Sequence, residues 1–264
     1  MLYIRSFIFN VLFYISNAVQ MIFWIPAFFI LPKEQSWKIA KMWGYSHLWL
    51  QNKICGTRFD FRGLENIPSE GGYLVASKHQ SAWETYTIIL FLADTSYILK
   101  KELTYIPVFG WYMQKFKVVP VERGKKGVAM LAMTKEAGRQ IREDQRQILI
   151  YPEGTRTRPG ADPHYKYGIT HLYSELDEEV LPVALNSGLF WGRQSFLRYP
   201  GKIVLEFLPV IEPGLEKDVF AEKLRSTIET ASDRLILEAA DSADAPPLAL
   251  EVREKVGNRL EASS

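Results

Sequence analysis

His79 sits in the stretch Ser77-Lys78-His79-Gln80-Ser81-Ala82-Trp83-Glu84, where an apolar run gives way to a polar one. A neutral imidazole at a strand end can take the proton of a substrate hydroxyl, provided a neighbour holds the ring and stabilises the imidazolium that forms. Glu84, five residues on, is placed to reach back over a helical turn to the second ring nitrogen. Together they make a base and an orienter whose nucleophile is the substrate's own hydroxyl. Taken alone, the pair reads more readily as a helix-start histidine beside a surface glutamate.

A second cluster, Tyr151-Pro152-Glu153-Gly154-Thr155-Arg156, also follows an apolar run. The planar guanidinium of Arg156 suits a phosphate, Gly154 lets backbone approach a ligand closely, and Glu153 can accept from a hydroxyl or fix an arginine. As turn chemistry alone the segment would be unremarkable. A third cluster, Val121-Glu122-Arg123-Gly124, offers Arg123 as a further phosphate ligand. Lys101 is a possible third cation, or a solvated loop lysine.

These groups need a scaffold that brings loop ends together. β-branched and aromatic content predicts strands at residues 73–77, 97–100, 117–121, 147–151, 180–185 and 202–209, with helices near 80–92, 127–143 and 168–177. Alternation of this kind predicts an α/β fold, a largely parallel central sheet flanked by helices, with binding groups at strand ends. A closing helix is expected over 216–240. Residues 241–264 read as a tail, an acidic linker followed by a frayed helix.

Ahead of this lies a membrane-associating helical segment. Residues 6–32 carry no charged side chain, long enough to cross or enter a bilayer. The run ends in bulky residues, unlike a cleavable signal, and Pro26 predicts a kink. Lys33, Lys38 and Lys41 follow, against Arg5 before the run, so charge asymmetry mildly favours a cytoplasmic catalytic domain. Trp37, Trp43, Tyr45 and Trp49 on a second helix, about 34–53, suit a headgroup layer. The expected organisation is an anchor over 1–55, a catalytic domain over 56–240 and the tail.

Composition excludes several classes. The chain of 264 residues has a net charge of only +2, which argues against nucleic acid as partner. One cysteine and scattered histidines offer no metal-ligand spacing, so no metal is expected. His47, His164 and His171 read as core or surface. Neither a dinucleotide glycine fingerprint nor a Walker A lysine is present.

The four blocks, in order across roughly 60–190, resemble the glycerolipid acyltransferase family typified by bacterial 1-acylglycerol-3-phosphate acyltransferases. His79 to Glu84 is similar to the family's histidine, four residues, acid. A passage through Lys100-Lys101-Glu102-Leu103 and Ile106-Pro107 to Arg123 is similar to the second block, Tyr151 to Arg156 to the third, and Leu181-Pro182-Val183-Ala184-Leu185 to the fourth. Two residues depart from the pattern: Glu84 stands where the family more often has Asp, and Tyr151 where it more often has Phe.

The resemblance implies that His79 deprotonates the acceptor hydroxyl, which attacks the thioester of acyl-CoA or acyl-carrier protein while Glu84 orients the ring. Arg123 and Arg156 would hold the acceptor phosphate, with Lys101 beside them and Glu153, Gly154 and Thr155 shaping the pocket. The implied acceptor is lysophosphatidic acid in a membrane, with the acyl donor as co-substrate and no cofactor. Glycerol 3-phosphate, another lysophospholipid or lyso-ornithine lipid stays open as acceptor, as does a non-catalytic lipid-binding protein retaining the fold. A serine hydrolase is disfavoured because neither Ser77 nor Ser81 sits in a nucleophile elbow.

Overall fold

The computed structural model describes residues 1–122 and 126–262. In chain order the helices and strands are α1 (Leu2–Phe23), α2 (Ile25–Ile30), α3 (Lys33–Cys55), β1 (Thr57–Arg62), β2 (Tyr73–Ser77), α4 (Trp83–Thr87), β3 (Thr95–Lys100), α5 (Phe109–Lys115), β4 (Val119–Val121), α6 (Lys126–Arg142), β5 (Gln147–Ile150), α7 (Tyr167–Leu176), β6 (Val180–Leu185), α8 (Ser187–Phe190), β7 (Gly201–Phe207), α9 (Lys217–Ala240) and α10 (Pro247–Glu261). The seven strands form one sheet in the order β1-β7-β6-β2-β5-β3-β4.

From β6 to β4 the pairs are parallel; β7 runs antiparallel to β6, and β1 pairs parallel to β7. The central strands are apolar almost throughout because helices cover both faces. Tyr73, Val75, Leu149, Leu181 and Val183 pack toward α3, α4, α8 and α10. Leu74, Ala76, Ile148, Ile150 and Val180 pack toward α6, α7 and α9. This is the alternation that a pleated strand imposes.

The short helices α5 and α8 have no counterpart in the sequence expectation, and three further elements differ from it. β1 was not anticipated: it alternates Arg58, Asp60 and Arg62 with aromatics and lies at the sheet edge, where charges are tolerated and the apolar signal is weak. The helix expected over 80–92 is only the short α4, followed by a 3-10 turn. The Glu84 carboxylate captures the amides of Gln80 and Ser81, and the Thr85 and Thr87 hydroxyls bond the carbonyls of Ala82 and Trp83. The C-terminal helix α10 is docked, with Ala249 and Val256 fully buried in the core shared with α8 and α9.

The apolar leader is broken between α1 and α2 at Trp24, with Pro26 in the first turn of α2, where a missing N–H costs nothing. α1 is long and apolar enough to cross a membrane, with 17% of its most apolar window buried. One stripe is fastened to the catalytic core: Phe9 is buried, Ser6 Oγ accepts from the Arg198 amide at 2.9 Å, and Asn10 donates to the Phe196 carbonyl at 2.9 Å. Tyr3, Ile4, Phe7, Ile15 and Phe23 face outward. On α3 the aromatics divide. Tyr45 and Trp49 are exposed, as a headgroup layer requires, but Trp37 turns inward, stacks on Phe116 and donates to Asp94. Trp43 turns inward as well.

Candidate active site

The carboxyl ends of the parallel strands deliver the chemistry, as open α/β sheets do. β2 leads into His79, β5 into Tyr151–Arg156, β6 into Ser187, and β3 into Lys100. His79 Nδ1 lies 2.9 Å from Glu84 Oε1. A carboxylate only accepts, so the neutral imidazole carries its proton on Nδ1 and leaves Nε2 as the basic nitrogen. Glu84 is fully buried and heavily solvated by the protein. Its Oε1 also accepts from the amides of Gln80 at 2.7 Å and Ser81 at 2.6 Å, while Oε2 accepts from Ser187 Oγ at 2.7 Å.

The histidine is fixed from three other directions. Its ring stacks on Tyr151 with centroids 3.9 Å apart and planes at 17°. Its amide donates to Glu153 Oε2 at 3.1 Å, and its carbonyl accepts from the Thr157 amide at 2.8 Å. Glu153 in turn binds Lys78 Nζ at 2.8 Å, and Lys78 reaches Glu229 on α9 at 2.7 Å. Tyr165 also donates to Glu229, at 2.9 Å. Burial pushes the Glu229 carboxyl above its usual range, opposed by Lys78. Burial likewise holds the Tyr151 phenol protonated far above its ordinary range, so it faces the imidazole as a neutral ring.

A cavity of about 860 Å³ opens beside His79. Phe28, Trp37, Tyr112, Met113 and Phe116, from α2, α3 and the end of α5, pack together as an apolar aromatic part of its lining. Lys100, Arg156, Lys166 and Arg193 also line it, with Gly154 and Thr155. Gly154 has φ +66°, a left-handed turn that a side chain would strain.

Among the residues singled out from the sequence, His79, Gly154, Thr155 and Arg156 share this cavity and Glu84 backs it. Glu153 does not line it; its carboxylate is spent on Lys78 and the His79 amide. Lys101 points away, paired with Glu122 at 3.4 Å on the exposed side of the turn, and its neighbour Lys100 lines the cavity instead. Arg123 lies outside the described residues. Sequence reading missed Lys78, Glu229, Ser187, Lys166 and Arg193. The first three meet across separations of 75 to 151 residues, which no local pattern records. Among the described residues, no group of three or more His, Cys, Asp or Glu side chains could hold a metal ion.

A family model described as Acyltransferase matches residues 58–186, which span all four blocks. The 1-acyl-sn-glycerol-3-phosphate acyltransferase of Pseudomonas aeruginosa is 34% identical over 207 residues, covering 76% of this chain and 80% of that one. The chain belongs to the acyltransferase family. Among other relatives of this family, a chloroplastic 1-acyl-sn-glycerol-3-phosphate acyltransferase of Arabidopsis thaliana is 28% identical over 201 residues, 74% of this chain and 53% of that one. The acyltransferase fold is seen again in the crystal structure of PlsC, the 1-acyl-sn-glycerophosphate acyltransferase of Thermotoga maritima. There the TM-score is 0.73 at 20% identity, covering 89% of this chain and 99% of the other.

Proposed function

We propose that this acyltransferase moves a fatty acyl group from acyl-CoA or acyl-carrier protein to the sn-2 hydroxyl of 1-acyl-sn-glycerol 3-phosphate, releasing the thiol and phosphatidic acid. The observation that carries the reading is the lining of one cavity, which His79 shares with a cluster of apolar aromatics and with Lys100, Arg156, Lys166 and Arg193. A lysophosphatidic acid and a fatty thioester would bring hydrocarbon to the aromatics, phosphate to the cations and the hydroxyl to His79.

In this reading His79 Nε2 removes the hydroxyl proton as oxygen attacks the thioester carbonyl, and Glu84 stabilises the imidazolium through Nδ1. Collapse of the tetrahedral intermediate expels the thiolate, which takes up the proton. General-base assistance of this kind contributes about 10²- to 10⁴-fold. Arg156, Lys166, Arg193 and Lys100 supply charge for the phosphate, with Arg123 a further ligand. A thioester is already activated, so the reading calls for no metal or cofactor.

The exposed stripe of α1 and the outward Tyr45 and Trp49 support membrane attachment with the cavity at the lipid surface, on the cytoplasmic face of the inner membrane where the donor is dissolved. The acceptor is tested by supplying purified protein with acyl-CoA and, in turn, lysophosphatidic acid, glycerol 3-phosphate and a phosphate-free monoacylglycerol. Phosphatidic acid from the first, at a kcat/KM at least about 10-fold above the others, is the expected result. Preference for the phosphate-free lipid would overturn the reading.

A further inference from the structure

The fourth block, β6, lines none of the chemistry through its own side chains, which are buried in the sheet. Its continuation does. Ser187, fully buried, donates Oγ to Glu84 Oε2 at 2.7 Å, across 103 residues of chain. The remaining donors on that carboxylate, His79 Nδ1 and the amides of Gln80 and Ser81, all converge on Oε1.

That division has a mechanical consequence. The terminal torsion of a glutamate is broad, so the carboxylate plane is set by the bonds its oxygens accept. A bond to the second oxygen restrains that plane further, and with it the direction in which Oε1 meets the imidazole. Without Ser187, Oε2 would also be a buried charge-bearing oxygen lacking a partner, which favours reorientation of the group.

Ser187 is itself held. Asn186 Oδ1 accepts from the Val204 amide at 2.8 Å and its amide nitrogen donates to the Leu235 carbonyl at 3.3 Å, while the Gly188 amide donates to Gln80 Oε1 at 3.0 Å. A Cβ at Gly188 would come within 2.8 Å of the Gln80 Cβ and 2.9 Å of Pro159, so only glycine allows this approach. The segment Asn186-Ser187-Gly188 thus clasps the loop that carries the base.

Resting on the general-base reading of His79, we propose that Ser187 is a positioning residue of the acyl transfer. It locks the carboxylate of Glu84 in the orientation that holds the imidazole.

The test is a set of steady-state rates with acyl-CoA and lysophosphatidic acid, together with thermal midpoints. Ser187→Ala and the near-isosteric Ser187→Cys should each lower kcat about 10-fold, the scale of one hydrogen bond to a charged group, with both KM values within about 2-fold of wild type. Ser187→Thr, which keeps the hydroxyl, should hold kcat within about 3-fold. In a Glu84→Asp background, whose shorter arm no longer spans to Ser187, adding Ser187→Ala should change kcat by less than about 2-fold. Wild-type kcat in both Ser187→Ala and Ser187→Cys, or a full additive loss in the Glu84→Asp background, would overturn the proposal while leaving the base intact. Wild-type rates in His79→Ala would instead remove the base, and this proposal with it.

Discussion

Two parts of the site are built on opposite principles. Around His79 every group is held by directional polar bonds: four donors on Glu84, a stacked tyrosine, and a buried lysine between two carboxylates that ties β2, β5 and α9 together. Elsewhere in the lining, Phe28, Trp37, Tyr112, Met113 and Phe116 offer shape and apolar surface. A proton transfer demands heavy atoms within hydrogen-bond reach in fixed orientation, whereas a hydrocarbon chain is bound by nondirectional burial. Rate should therefore be brittle to change on the first side, and the second should tolerate change by altering which chain fits.

The largest effects belong to the polar side. Glu84→Ala removes the orienter and strands four donors, and should lower kcat/KM about 100-fold or more; a loss under about 5-fold would show the carboxylate to be dispensable. Lys78→Met leaves Glu153 and Glu229 as buried, unmatched carboxylates. It should destabilise the protein by about 3 kcal/mol, read as a fall of several degrees in the thermal midpoint, with kcat lowered as the His79 amide loses its fixed acceptor.

Next comes the outward face of α1. Replacing Ile4, Phe7 and Ile15 with serine should release most of the protein from anionic lipid vesicles while the fold persists, since these side chains are exposed. Deleting α1 is a poorer test, because Phe9 belongs to the core and its loss would open it. Retention of the triple variant on vesicles would place the membrane contact elsewhere.

On the apolar side, Ala40→Phe fills part of the cavity. Preference should shift toward donors shorter by a few carbons, with the best kcat within about 3-fold of wild type. A uniform loss for all chain lengths would mean that the cavity does not hold the chain.

The smallest effect lies far from the site. Arg62 on the edge strand holds the Glu238 carboxyl down to about 2, from 4.5. A depressed carboxylate contributes stability above its ordinary range and loses it as pH falls through the folded value. Glu238→Gln should thus cost under about 1 kcal/mol at neutral pH, because the pair is partly exposed, and the difference should vanish between pH 4.5 and about 2.

Legibility in the sequence followed the same division. Apolar strand runs and the short motifs behind them announced the sheet and the loops at its carboxyl edge, because both signals are local. What escaped was whatever depends on a distant partner. Glu153 looked like a ligand for substrate, yet its carboxylate is claimed by Lys78, 75 residues away, which is itself tied to Glu229 across 151 residues. Trp37 looked like an interfacial anchor, yet Asp94 and Phe116 draw it inward. Lys101 and Lys100 are adjacent in sequence, and only the path of the chain after β3 decides which faces the cavity. α10 carried too weak a pattern to read as anything but a fraying end, although Ala249 and Val256 are fully buried.

The most direct measurement is the single-turnover rate of acyl transfer by His79→Ala, with lysophosphatidic acid already bound and acyl-CoA added in excess. The expected result is a rate at least about 100-fold below wild type with the dissociation constant of the lysolipid unchanged. A rate within about 3-fold of wild type would contradict the assignment of His79 as the base.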